Sequence, residues 1–242
     1  MAYLAHTAHA QLAALWAACV GWILISVALG LIQWRVWLLA DRDVVSSGVA
    51  WVGLWRACFN SHTVVSPGFQ AMHCKYIDPT EAFAPPEIVA GQVLMLLSVL
   101  VGICGNAGGL YSMRNVYFGV ERGSVGFIAT GALCLLAAVM SLVPLVWNLT
   151  SVVTNQTIQF PPDFKLPPAP AAQYVGCGIG VGMVGAALMV VSGMVFCRYK
   201  APARAKPGTP CSLVPASRPA PTGLFTVLKG KDNPVFELHE HL

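Results

Sequence analysis

The chain has 242 residues, of which 56% are hydrophobic and only 10% charged, against roughly 25% charged in an ordinary soluble domain. Its mean hydropathy is +0.67, and its formal charge of +4 is not gathered into the basic stripe that binds nucleic acid. No H-E-x-x-H, G-x-S-x-G or P-loop pattern occurs, so the usual hydrolase and nucleotide-binding readings find no support and no cofactor or metal is expected.

A helix needs about 20 apolar residues to cross about 30 Å of hydrocarbon. Four stretches qualify, at about 12–32, 88–113, 124–147 and 174–197, and none contains Asp, Glu, Lys or Arg in its apolar core. The first is expected to be a retained helix rather than a cleaved leader. No Lys or Arg precedes Arg35, and the apolar run exceeds the about 7–15 residues of a signal peptide.

The basic residues set the orientation. Arg114 and Arg122 lie between the second and third spans, and Arg198, Lys200, Arg204 and Lys206 follow the fourth. Both segments are expected in the cytoplasm, which places both termini there and puts the loops at 33–87 and 148–173 outside. The first loop carries Arg35, Arg42, Arg56 and Lys75 against Asp41, Asp43, Asp78, Glu81 and Glu87, a balance that long loops tolerate. Asn148-Leu149-Thr150 and Asn155-Gln156-Thr157 are glycosylation triplets in the second loop. Asn155 is the better candidate, because Asn148 lies close to the membrane.

Within the first loop, Val49 to Trp55 and Thr63 to Val65 read as strand, Ser66-Pro67-Gly68 as a turn, and Phe69 to Tyr76 as a returning strand. Cys58 and Cys74 are equally far from Ser66, so a hairpin folded there sets them opposite each other. They are the two outside cysteines of the eight in the chain, and an oxidising exterior favours a disulfide. His62 and His73 flank the pair but match no standard zinc spacing. Cys19, Cys104, Cys134 and Cys177 fall in helices as small buried residues. Cys197, at the cytoplasmic edge of the fourth helix, is a palmitoylation candidate.

Small residues recur four apart at Ala13, Ala17 and Gly21, at Gly105 and Gly109, and at Gly178, Gly182 and Ala186. Such rows let helices approach closely in lipid, and the bundle's own contacts are the expected use. Asn106, in the middle of the second span, is expected to hydrogen-bond between helices. In the second loop, Phe160, Pro161, Pro162 and Phe164 read as an exposed contact patch. Residues 201–242 are expected to be a disordered cytoplasmic tail, with Pro202, Pro207, Pro210, Pro215, Pro219 and Pro221.

Trp34 follows the first span, and Gly53-Leu54-Trp55, two residues, Cys58 and then Cys74 come after it. This resembles the claudin signature of a Trp, G-L-W-x-x-C and a second Cys. Cys74-Lys75-Tyr76-Ile77-Asp78, Pro86-Glu87-Ile88, Leu142-Val143-Pro144-x-x-Trp147 and Tyr174-Val175-Gly176 agree with it, so the resemblance covers about residues 12–200. It implies a left-handed four-helix transmembrane bundle with a small extracellular antiparallel sheet, filling residues 1–200. The function implied is a tight-junction structural protein that associates with itself and other claudins side by side and head to head. Lys75, just after the second cysteine, occupies a position linked to charge selectivity and would repel cations.

Three departures stand out. The gap between the loop cysteines is longer than is usual in the family. Gln92 replaces the usual Arg near the start of the second helix, which puts the sheet–helix junction in question. The chain ends Glu240-His241-Leu242 rather than Tyr-Val, which leaves a PDZ scaffold as a weaker partner expectation. The competing reading is an auxiliary channel or receptor subunit, or a myelin-type membrane organiser, of the same architecture.

Overall fold

The computed structural model describes residues 2–39, 48–61, 71–118, 123–164, 166 and 169–199. Four long helices carry the chain: α1 (Ala2–Gly30), α2 (Pro86–Tyr117), α3 (Gly123–Val153) and α4 (Cys177–Cys197). All four are long and apolar enough to cross a membrane. Five short strands complete the fold: β1 (Arg35–Leu38), β2 (Val49–Val52), β3 (Arg56–Ser61), β4 (Ala71–Tyr76) and β5 (Ala172–Val175). The expected tail, with Cys211, the carboxyl terminus and the basic residues Arg204 and Lys206, lies outside the described residues, as do Lys200, Arg122, His62 and the Ser66-Pro67-Gly68 turn.

The helix ends differ from those expected, for local reasons. Helix α1 begins at Ala2 rather than near Leu12, because the alanine-rich start favours helix. Helix α2 starts at Pro86, where a missing N–H costs nothing. Both α2 and α3 continue past their apolar cores, to Tyr117 and Val153. Helix α4 starts at Cys177 rather than Tyr174, because Tyr174 is held in β5 opposite Val36.

Lipid offers no hydrophobic drive for helices to associate, so close packing must hold them together. A Cβ on Gly21 of α1 would sit 2.8 Å from the Gly185 carbonyl oxygen of α4, and one on Gly185 would sit 2.8 Å from that of Gly21. The two backbones therefore touch with nothing between them. Gly105, Gly109, Gly178, Gly182 and Ala186 also face into the bundle, as expected. Ala13 does not: it is exposed, and the buried row of α1 is Ala14, Ala18, Gly21, Ile25 and Ala28. Asn106 accepts a hydrogen bond from the Cys19 thiol (3.4 Å) and donates to the Gly102 carbonyl (3.0 Å), linking α2 to α1.

The strands form one antiparallel sheet in the order β4-β3-β2-β1-β5. Strand β5, from the second loop, thus closes a sheet otherwise built from the first. Its four residues were too few to read as a strand. A second core lies against this sheet, made of Trp37, Leu39, Ala50, Val52, Ala57, Phe59, Ile77, Ile88, Ile158, Phe160, Phe164 and Leu166.

Candidate functional site

The first-loop signature is the machinery that seats the sheet on the bundle. Trp34 is fully buried, and its indole Nε1 donates to the Ala28 carbonyl of the last turn of α1 at 2.8 Å. Its backbone N–H donates to Val52 and its carbonyl accepts from Gly176, so the same residue ties α1, β2 and the entry to α4. Gly53 lies so close to the end of α1 that a Cβ there would meet the Ile32 Cα at 2.8 Å and the Leu31 carbonyl at 2.9 Å. Leu54 is wholly buried in the bundle core and packs onto Gly91 of α2. Trp55 is half-buried and stacks on Tyr76 with ring centroids 6.2 Å apart.

Gln92 holds the junction that its departure from the family pattern put in question. It is buried, and its side-chain amide donates to the Leu54 carbonyl at 2.7 Å and the Ile77 carbonyl at 3.0 Å. One neutral side chain thereby fixes both ends of the β3–β4 hairpin to α2 without the desolvation a guanidinium would suffer.

A buried polar network lies beneath β1. The Arg35 guanidinium contacts Glu87 at 2.9 Å and donates to the Asn148 side-chain oxygen at 2.9 Å. Asn148 donates in turn to the Glu87 and Pro144 carbonyls, and the Ser151 hydroxyl donates to the Glu87 carboxylate. Burial pushes the Arg35 pKa down, with the Glu87 hydrogen bond and charge acting against it; an arginine starts high enough to stay charged. In the sequence Arg35 and Glu87 stand only as loop charges, and the fold pairs them. The available signal was that Glu87 and Asn148 each stand at the mouth of an apolar span.

This network overturns Asn148 as a glycosylation site, because its side chain is 1% exposed and already hydrogen-bonded on both its oxygen and its nitrogen. Asn155 is exposed, at a turn with φ 54 that asparagine tolerates better than most residues. Phe160 and Phe164 are likewise not the exposed patch expected. They are 8% and 4% exposed and pack on each other, on Phe83 and, through Phe160, on Trp37. A short loop does supply core when a sheet edge lies beneath it.

Cys58 and Cys74 pair directly across β3 and β4 and form a disulfide. Lys75 follows it in β4. Its ammonium lies 3.6 Å from the Asp163 carboxylate and 4.7 Å from the centroid of the Phe164 ring. Cys197 is exposed at the end of α4, whereas Cys104 and Cys177 are exposed where buried residues were expected. No group of three metal-ligating side chains comes together among the described residues.

Residues 19–198 match the family described as PMP-22/EMP/MP20/Claudin tight junction. The chain is 30% identical to dog claudin-3 over 89% of its own length and 94% of that protein's. The chain belongs to the claudin family. Human claudin-3 is 30% identical over 85% of the chain and 88% of its own length, and human claudin-4 is 27% identical over 78% and 86%. As a claudin it is a multi-pass membrane protein and a structural component of tight junctions. The accessory-subunit and myelin-organiser readings are not favoured.

Proposed function

We propose that this claudin forms paracellular strands by associating with itself and other claudins, side by side in one membrane and head to head across the gap, and that the strand acts as a barrier. Both termini are cytoplasmic and the sheet faces the paracellular space. The carrying observation is the Lys75–Asp163 contact of 3.6 Å. Lys75 repels cations, while the more exposed Asp163 offsets the field that would draw anions. The position linked to charge selectivity therefore favours neither sign strongly.

Head-to-head contact falls to the outward sheet surface, since Phe160 and Phe164 are core. Glycosylation falls to Asn155, palmitoylation to Cys197, and scaffold attachment, if a PDZ domain takes it, to Leu242. The role is structural rather than enzymatic.

The test is expression in claudin-deficient epithelial cells, with freeze-fracture, transepithelial resistance and dilution potentials. Continuous strands with raised resistance and weak charge preference are expected. Surface delivery without strands would remove the strand-forming role, and a large anion or cation preference would remove the barrier role.

A further inference from the structure

At the foot of the sheet is a cleft of about 330 Å³ lined by Gly30, Leu31, Ile32, Trp55, Arg56 and Tyr76, within the roughly 300–1,000 Å³ of small-ligand sites. Its depth in the membrane follows from α1. That helix is apolar up to Gly30, and the chain enters the sheet at Arg35, so Gly30 marks the boundary between hydrocarbon and headgroups.

Three kinds of group meet there. Arg56 is exposed, and neither of the ion pairs among the described residues involves it. Trp55 and Tyr76 form an aromatic pair beside it. The carbonyls at the end of α1 lie past the helix's last hydrogen bond, from Leu31 to Val27 and Ala28, and present the negative end of the helix dipole. Arg56 and Tyr76 are direct cross-strand partners, so their side chains share a face with Cβ atoms about 5 Å apart. One cationic group and one cation-attracting surface, held a short distance apart, complement a zwitterion.

An apolar track leads to the same point. Leu12, Trp16, Val20, Ile23 and Val27 are all exposed, and their spacings of three or four residues put them on one face of α1. The next residue of that series is Gly30, itself exposed and part of the cleft. A molecule with a zwitterionic head and an acyl tail fits the cleft and the track together.

We propose that this cleft binds the phosphocholine headgroup of a membrane lipid in the leaflet on the sheet side, with an acyl chain along the exposed face of α1. Arg56 pairs with the phosphate, as guanidinium groups do. The quaternary ammonium sits against Trp55 and Tyr76, whose ring faces attract such cations, and faces the α1 carbonyls. This binding is independent of strand formation.

The test is native mass spectrometry of the full chain in mild detergent, titrated with dioleoyl phosphatidylcholine, phosphatidylglycerol or phosphatidylethanolamine. One phosphatidylcholine is expected to be retained roughly tenfold better than either other lipid, since one carries no ammonium and the other only a strongly hydrated primary one. Arg56→Glu and Tyr76→Leu should each abolish the preference, while Arg198→Glu, past the end of α4, should leave it intact. An intact Cys58–Cys74 disulfide and unchanged circular dichroism check the fold of each variant. Equal retention of the three lipids by the unaltered chain, retention of phosphatidylglycerol as well as phosphatidylcholine, or an undiminished preference in folded Arg56→Glu overturns the proposal.

Discussion

The sheet and the bundle are held by opposite means. The sheet has a water-facing side, so it gathers aromatic and aliphatic side chains into a core around Trp37, Phe160 and Phe164 and adds a disulfide. The bundle lies in lipid and has no such drive. Its close approaches are made by removing side chains, as where Gly21 and Gly185 bring two backbones together. The difference shows that one apolar composition serves two physical purposes, and that the polar residues at the seam have to reconcile them.

The seam is where the largest effect is expected. Arg35→Ala leaves Glu87 buried without its partner, and breaking a buried pair costs about 3–5 kcal/mol. Loss of surface delivery and of a cooperative melt in detergent should follow; a wild-type melting temperature would show that the sheet does not depend on this network. Phe164→Ala removes an aromatic ring from the sheet core, at about 3–5 kcal/mol where the cavity cannot collapse. It should lower thermal stability in the isolated protein, whereas a residue serving only head-to-head contact would leave the melt unchanged and weaken adhesion alone.

Cys58→Ser comes next. The disulfide closes a loop whose ends are 16 positions apart, worth about 3 kcal/mol in the chain-entropy view. The sheet should become protease-sensitive while the helices keep their circular dichroism, a separation that would sharpen the contrast between the regions. Gly185→Val should do the reverse. A backbone carbonyl at 2.8 Å cannot yield like a flexible side chain, so overpacking of about 1–3 kcal/mol is expected, read as a lower melting temperature with the disulfide intact. Lys75→Asp is the smallest. An exposed pair is worth under about 1 kcal/mol and salt screens it, so dilution potentials should shift towards cations by at most severalfold, with no change in stability.

The bundle was the more legible region. Long charge-free runs announce spanning helices whatever their packing, and the placing of Cys58 and Cys74 about Ser66 anticipated their pairing. The sheet was harder, because its structure depends on contacts between distant segments. Strand β5 has only Ala172 to Val175 and exists because β1 offers it an edge. Phe160 and Phe164 looked too loop-bound for a core because nothing local reveals the sheet beneath them. Asn148 matched a glycosylation triplet, yet its position one residue beyond Trp147 puts it inside α3, facing Arg35 and Glu87. Gln92 appeared to be a loss, and only its two carbonyl partners show it as a working substitute.

The position of β1 between β2 and β5 has a mechanical meaning for a protein that joins cells. Strand β1 follows directly from α1, and β5 leads directly into α4. Tension applied to the sheet by a neighbouring cell would thus enter the membrane through α1 and α4 together, the two helices whose backbones meet at Gly21 and Gly185. A direct backbone contact in the lipid thus lies along the line of pull, and α2 and α3 are left to anchor the sheet's underside.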